Sequence, residues 1–196
     1  MAEVRTTPAT GTSEEARHGL VARWAVARRR AQTARQAEFT AFVAATAPGL
    51  RRTAYLMCRD WHLAQDLTQI TFAKMYASWG RIRGTANPEA YSRRVLVNAI
   101  FDQKKRRSDS ELVLAELPEA PHHPPDDTPE LHITLLRALA TLSIRDQAIV
   151  VLRHWEDQSV ETVAGILGVS VSVVKTQNAR ALSRLRAVLG EDFVRI

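Results

Sequence analysis

The chain has 196 residues, of which 45% are hydrophobic and 24% are charged, and its net charge is +6 with a pI near 10.1. This length can bury one ordinary core or two small ones, and the positive charge favours a polyanionic partner such as nucleic acid. The single cysteine, Cys58, excludes an intrachain disulfide, and no apolar run approaches the roughly 18 residues needed to cross a bilayer. We therefore expect a cytoplasmic protein without a membrane partner or a signal peptide. Glycines are few and alternating Val- and Ile-rich runs are missing, which predicts an all-α fold.

An acidic, proline-rich segment divides the sequence. Residues 108–130 contain seven acids, no lysine or arginine, and five of the eight prolines. Such a segment buries too little apolar surface to offset its ordering entropy, and its prolines prevent a continuous helix. It is predicted to be a flexible linker between two small helical domains, at 37–107 and 131–190. Residues 1–36 form a basic, partly disordered N-terminal extension, and residues 191–196 form a tail.

The extension contains one helical pattern. Apolar and alanine residues recur at helical spacing beside three consecutive arginines: Leu20, Trp24, Ala27 and Ala31 with Arg28, Arg29 and Arg30. Two interpretations remain open, a frayed basic helix and an additional contact to DNA or to a partner.

The first domain is predicted to begin with an amphipathic helix near Phe39 that Pro48-Gly49 interrupts. A second helix is predicted from about Leu63 to Trp79, with Leu63, Leu67 and Ile70 at core spacing. Four side chains share a different edge of this helix: Asp66, Gln69, Phe72 and Tyr76. That edge is either a binding surface for a partner helix or an ordinary exposed edge.

A basic helix follows the loop predicted for Arg81 to Pro88. From Glu89 to Arg107 this helix presents six basic side chains: Arg93, Arg94, Lys104, Lys105, Arg106 and Arg107. Asn98 and Asp102 lie one turn apart along it. The face is either a solvated basic surface or a contact surface for a DNA groove or a single strand.

The second domain has the pattern of a helix-turn-helix. Pro129 and Glu130 suit a helix start after Thr128, and a helix beginning near Ser143 places Ile149, Leu152 and Trp155 toward the core. Ser159 is predicted to cap a short helix that Gly168 closes, and Ser170 to start a longer one. From Ser170 to Ala187 that last helix has four basic residues and no acid, so it suits a phosphate-lined groove.

Three segments in this order resemble the extracytoplasmic-function sigma factors of bacterial RNA polymerase. They are AQDLTQITFAKMYASW at 64–79, NPEAYSRRVLVNAIFDQKKRR at 87–107 and GVSVSVVKTQNARALSRLR at 168–186. The resemblance implies two helical domains, sigma region two and sigma region four. Together they would bind the polymerase core and direct promoter-specific initiation.

The resemblance also implies which residues bind each partner. Asp66 and Gln69, flanked by Leu63 and Phe72, would contact the clamp helices of the largest polymerase subunit. Residues 81–88 would wall a pocket for an unstacked base of the minus-ten element. The minus-ten contacts would come from Asn87, Arg94, Asn98, Lys104 and Lys105, and the contacts to the minus-thirty-five duplex from Ser172, Lys175, Thr176 and Arg180.

Family members thread the linker through the polymerase channel and are often held inactive by an anti-sigma factor. The resemblance implies both properties here, and the acids of residues 108–130 would act in initiation or promoter escape. Gln65 departs from the family pattern because it stands where an acid is common. Two further departures concern Ile70, at a position that is often polar, and Asn178. The latter falls on the inward side of its helix, where a buried amide needs a partner.

A stand-alone DNA-binding regulator and an enzyme are the two other classes of protein to which the chain could belong. A stand-alone helix-turn-helix regulator is the alternative, but the first domain has no pattern of a receiver or small-molecule domain. An enzyme is not expected, because the sequence has no phosphate-cradling glycine loop and no nucleophile elbow. His122 and His123 adjoin prolines without neighbouring cysteines, so neither a metal site nor a cofactor is expected.

Overall fold

The computed structural model describes residues 12–110 and 129–190, with side chains described from 23 to 107 and from 133 to 190. The predictions for residues 1–11, for most of the linker and for the tail lie outside the described residues. Within the described ranges all regular structure is helical, which confirms the all-α prediction. The helices are α1 (Thr12–Cys58), α2 (Trp61–Ile82), α3 (Pro88–Ser110), α4 (Pro129–Ala140), α5 (Ile144–Val150), α6 (Val160–Leu167) and α7 (Val171–Leu189), with a π-helical turn at Val151–Trp155.

The chain separates into two compact units, residues 1–42 and residues 43–196. In the first unit the described residues are helical, nearly all of their side chains are exposed, and the rings of Phe39 and Phe42 stack at 6.5 Å. In the second unit one apolar core draws on every helix from the end of α1 to α7. None of the helices in the described part of the chain is long and apolar enough to cross a membrane.

Pro48 lies inside α1, so the predicted interruption at Pro48-Gly49 is wrong. Proline removes one backbone donor and costs a helix interior about 3 kcal/mol. The turns that follow bury Leu50, Ala54 and Met57 almost completely. Because burying one such apolar side chain contributes about 1.5–3 kcal/mol, packing of this face outweighs the local defect.

The corner between α1 and α2 is fixed by a cap and by an aromatic cluster. Asp60 is the N-cap of α2, and its carboxylate accepts a hydrogen bond from the Leu63 amide at 2.9 Å. The Trp61 ring meets Tyr55 edge-on at 5.5 Å between centroids. The Arg51 guanidinium lies 4.6 Å from the centre of the Trp61 ring. These contacts set the direction in which α2 leaves α1.

Cys58 is a largely buried thiol at this corner. Its Sγ donates to the Asp60 carbonyl at 3.2 Å, and burial raises the pKa of the thiol to about 11. The thiolate is therefore scarce near neutral pH, and Cys58 behaves as the small hydrophobe expected from its neighbours.

The core face of α2 differs from the one predicted. Ile70 is 45% exposed, while Thr68 and Thr71 are buried. Each buried threonine hydroxyl donates to the carbonyl one turn back, Thr68 to Ala64 at 2.7 Å and Thr71 to Leu67 at 2.8 Å. Because the hydroxyls are satisfied within the helix, threonine can occupy the core, and the core placement of Ile70 is wrong.

The loop predicted for Arg81 to Pro88 is shorter in the structure. Arg81 and Ile82 belong to α2, where Ile82 is buried, and Pro88 is the first residue of α3. Because Ile82 is packed in the core, α2 continues through Arg81 and Ile82, where the sequence predicted that the loop had already begun. Only residues 83–87 connect the two helices.

The second half of the chain begins and ends its helices where the sequence predicts. Ser143, Ser159 and Ser170 cap α5, α6 and α7, each accepting a hydrogen bond from the amide three residues later. Gly168 closes α6 with φ 65°, the left-handed conformation required by the turn. Helices α6 and α7 with this turn form the predicted helix-turn-helix.

Trp155 is 50% exposed, so its predicted core position is wrong. The π-helical turn at Val151–Trp155 follows α5, and its wider turn moves the side chains out of α-helical register. Ile149 and Leu152 remain fully buried, as predicted, whereas Trp155 is carried to the surface.

Gly168→Ala is expected to lower the free energy of unfolding by about 1–2 kcal/mol, because a Cβ is disfavoured at a left-handed residue. No atom lies within 4 Å of the added Cβ, so the loss comes from the backbone alone. Gly165→Ala is the matched control, since Gly165 is also uncrowded but lies inside α6, where alanine is favoured by about 0.5–1 kcal/mol. Urea unfolding of both variants measures the difference, and equal stabilities would contradict the role given to the turn.

Candidate functional site

An exposed strip on α2 contains the two residues predicted to bind a partner helix. Asp66 and Gln69 are exposed, and Leu63 and Phe72 are half-buried against the core at the two borders of the strip. Ile70 and Tyr76 also lie in it, 45% and 43% exposed. We call these six residues the docking edge. A carboxylate and an amide beside exposed apolar surface suit a protein partner better than a polyanion.

A face of α3 brings together three of the five residues predicted for the minus-ten element. Arg94, Asn98 and Lys105 are exposed and lie within about 40° of one another around the helix, since each residue advances it by about 100°. Tyr91, which sequence reasoning missed, is exposed on the same face. We call these four residues the α3 face. It combines positive charge and an amide with an aromatic ring on which a base can stack.

The other two residues predicted for the minus-ten element lie elsewhere. Asn87 precedes α3, and its side-chain oxygen accepts a hydrogen bond from the Ala90 amide at 2.8 Å, so part of the amide serves as a helix cap. Lys104 is about a quarter turn or more from the α3 face and lines a cleft with Leu63 and Gln147. Asn87 and Lys104 are both exposed but lie apart from the α3 face, so their contacts to the minus-ten element stay predictions.

Arg93 was expected on the exposed basic surface of α3, and the structure places it in an ion pair instead. Its Nε lies 3.0 Å from Glu156 Oε2, and its Nη1 lies 3.5 Å from Glu89 Oε2. The side chain is only 17% exposed. Because Glu156 follows Arg93 by 63 residues, no local pattern could have indicated this pair.

The exposed face of α7 holds all four residues predicted for the minus-thirty-five element. Ser172, Lys175, Thr176 and Arg180 are exposed on one side, and Val174, Ala181 and Leu185 are buried on the other. We call the first four the recognition face. With two cations, two hydroxyls and no acid, it suits the phosphates and base edges of a DNA major groove.

Asn178 finds the partner that its position demands. Its Oδ1 lies 3.0 Å from Nε2 of His154, at the end of the π-helical turn. The contact ties the middle of α7 to the π-helical turn that follows α5. Among the described residues no cluster of three or more His, Cys, Asp or Glu side chains is arranged to hold a metal ion.

The sequence matches two protein families in the order of these surfaces. Residues 42–109 match Sigma-70 region 2 and contain the docking edge and the α3 face. Residues 132–185 match Sigma-70 region 4 and contain the recognition face. None of the comparisons supports the alternative of a stand-alone regulator.

Relatives with assigned roles cover most of the chain. The RNA polymerase sigma-E factor of Streptomyces coelicolor is 37% identical over 155 residues, which are 78% of this chain and 86% of the relative. The ECF RNA polymerase sigma factor SigM of Mycobacterium tuberculosis is 30% identical over 147 residues, 72% of this chain and 71% of the relative. The solved sigma factor RpoE of Bartonella quintana, in complex with the anti-sigma factor NepR, has 26% identity and a TM-score of 0.68, over 78% of this chain and 96% of that one.

The matched families cover residues 42–109 and 132–185, which are most of the described structure. A chain of this kind acts in promoter-specific initiation of transcription with RNA polymerase. The protein belongs to the sigma-70 family, in its extracytoplasmic-function group of RNA polymerase sigma factors.

Proposed function

We propose that region two of this sigma factor reads and opens the minus-ten element through the α3 face. The observation that carries the proposal is the exposure of Tyr91, Arg94, Asn98 and Lys105 on one side of a single helix. Unstacking a base costs a few kcal/mol, and an aromatic ring offsets about 1–3 kcal/mol per stacked base. The two cations hold the strand by its phosphates, and the Asn98 amide has both a donor and an acceptor for a base edge.

The docking edge of region two is proposed to bind the clamp helices of the largest polymerase subunit. Asp66 and Gln69 supply polar contacts, and Ile70 and Tyr76 supply apolar area that water now covers. A partner helix laid along the edge would bury both kinds of group together. Ile70 therefore strengthens the edge at a position where a polar residue was expected.

Region four is proposed to read the minus-thirty-five duplex with the recognition face of α7. Lys175 and Arg180 supply the positive charge that phosphates attract, and Ser172 and Thr176 have short hydroxyls near the helix start. A recognition helix contacts base edges mainly with its N-terminal residues. This arrangement positions the domain through the backbone and specifies sequence through the hydroxyls.

The experiment that tests these assignments is transcription in vitro. Purified protein, core polymerase from a related bacterium and a pool of genomic promoter fragments are mixed, and the transcripts are sequenced. We expect starts that require the protein and share two upstream elements. Starts that occur equally without the protein would contradict the assignments, as would tight binding to duplex DNA by the protein alone without any polymerase-dependent start.

The N-terminal extension is proposed to add a contact to DNA phosphates. From Arg23 to Arg35 it has five arginines and no acid, and four of them, Arg23, Arg28, Arg29 and Arg30, are exposed on a helix beside Trp24, which is 77% exposed. A helix that is exposed all round gains little from packing, so a polyanion is the partner that its charge selects.

Removal of residues 1–36 is expected to leave start sites unchanged and to weaken promoter binding about tenfold at moderate salt, with a shallower salt dependence. Filter binding of the holoenzyme across a salt series measures both. The same contact is tested in the full-length chain by changing Arg28, Arg29 and Arg30 to glutamine. This variant is expected to lose most of the promoter affinity that the truncation loses. Unchanged binding in both proteins would exclude the phosphate contact.

An anti-sigma factor is proposed as a further partner. The support is the likeness to the Bartonella quintana sigma factor, which was solved bound to NepR. The apolar residues of the docking edge would suit such a partner as well as polymerase. Competition between the two for this edge would make the anti-sigma factor an inhibitor.

A further inference from the structure

Glu156 of region four lies among side chains of region two. Its carboxylate accepts hydrogen bonds from Arg93 Nε at 3.0 Å and from the Thr53 hydroxyl, and Thr53 is fully buried. Glu156 is itself only 12% exposed. Both hydrogen bonds are lost if region four moves away from region two, so they favour the arrangement in which the two regions touch.

The backbone around Glu156 is built to aim this side chain. Glu156 ends the π-helical turn, its amide donates to the Val151 carbonyl at 3.0 Å, and its carbonyl accepts from the Gln158 side chain at 2.6 Å. The next residue, Asp157, has φ 48°, an uncommon conformation outside glycine. The same turn that carries Trp155 to the surface thus directs Glu156 toward region two.

Other contacts join the two regions beside this ion pair. Helix α3 of region two packs against α6 of region four. A cleft behind it is lined by Leu63, Lys104 and Arg107 of region two and by Leu142 and Gln147 of region four. One residue of the docking edge, Leu63, therefore faces region four in this arrangement.

We propose that Glu156, with Arg93 and Thr53, is an ionic latch that holds the free sigma factor closed, and that it opens when the polymerase and promoter are engaged. The proposal rests on the assignment of region two and region four to their promoter elements. Asp66 and Gln69 are exposed in the closed form, so polymerase can dock before the latch opens. Polymerase that binds the whole docking edge also covers Leu63. It then competes with region four, which faces the same side chain in the closed form.

The spacing of the promoter elements requires opening. Elements centred at minus ten and minus thirty-five lie about 85 Å apart along B-DNA, at about 3.4 Å per base pair. Two touching domains of this size have centres about 30 Å apart. The segment from 111 to 128 can span about 60 Å when extended, which is enough to separate the domains to the promoter distance.

The test uses the full-length chain with Glu156→Gln, which keeps the shape of the side chain and removes its charge. The matched control is Asp157→Asn, an equal loss of charge at the exposed neighbour, where asparagine tolerates the same backbone conformation. The radius of gyration of each free protein is measured by small-angle X-ray scattering, and circular dichroism shows whether the helices are intact.

We expect Glu156→Gln to increase the radius of gyration, and Asp157→Asn to leave it unchanged. The exchange variant, Arg93→Glu with Glu156→Arg, is expected to return the chain toward the compact form. In transcription, Glu156→Gln is expected to reach half-maximal activity at about a tenfold lower sigma concentration, because a larger fraction is ready to bind.

Two results would overturn the latch: an unchanged radius for Glu156→Gln with intact helices, or an equal expansion of the Asp157→Asn control. Wild-type protein that supports transcription in either case would show that the promoter assignments stand without the latch. Wild-type protein that directs no transcription would instead refute the promoter assignments, whatever the scattering shows.

Discussion

Replacing Asp66 and Gln69 together by alanine is expected to weaken binding to core polymerase about 100-fold, because two interface residues that each contribute about 1–2 kcal/mol are lost. Both side chains are exposed and neither supports the core, so the fold should be unaffected. Binding is measured by titrating labelled sigma factor with core enzyme in the absence of DNA. Transcription at low sigma concentration should fall in parallel and recover when the sigma factor is in excess.

Asp102→Ala is the control for this double variant. It removes an exposed carboxylate from α3, away from the docking edge, and it should leave the affinity for core enzyme unchanged. A second variant, Ile70→Ser, tests the apolar part of the edge and is expected to lose about tenfold in affinity. Wild-type affinity in the double variant would mean that polymerase binds another surface of region two.

The local features of this fold could be predicted from sequence because their causes are local. Ser143, Ser159 and Ser170 cap helices through bonds to amides three residues away, and Gly168 supplies a backbone conformation that other residues disfavour. Each of these signals is contained within one turn of chain. These signals were enough to predict where the helix-turn-helix lies in the sequence, and therefore which helix has the recognition face.

The errors came from features that depend on tertiary packing. Pro48 remains helical because the turns after it are buried, and Ile70 is exposed because Thr68 and Thr71 occupy the core in its place. Trp155 reaches the surface because a π-helical turn changes the register. A prediction from helical periodicity assumes that every turn has the same number of residues and that every core position is apolar. Each of these segments departs from one of the two assumptions.

The candidate site was predictable as a set of helix faces but not in its long-range pairing. Arg94, Asn98 and Lys105 share a face by spacing alone, and the same spacing places Tyr91 beside them, so attention to exposed aromatics could have found it. Arg93 is adjacent to Arg94 yet points to Glu156, 63 residues later. Which of the two neighbouring arginines stays exposed is decided by the packing of α3 against region four.

Changing Lys175 and Arg180 to alanine is expected to lower holoenzyme affinity for promoters with a minus-thirty-five element about 100-fold at moderate salt, because each phosphate contact releases a counterion. The slope of the logarithm of the binding constant against that of salt concentration should fall by about two. Both side chains are exposed on the recognition face, so the stability of region four should be close to that of wild type.

Arg184→Ala separates this effect from a general loss of charge. Arg184 lies on the same helix, but its Nη1 is 3.7 Å from Asp146 Oδ2 of α5, so this acid compensates part of its charge. The control should therefore change the salt slope little, while the double variant changes it by about two charges. If both proteins showed the wild-type slope, region four would not bind phosphate through α7. If both lost affinity equally, the loss would follow from overall charge and would not be specific to the recognition face.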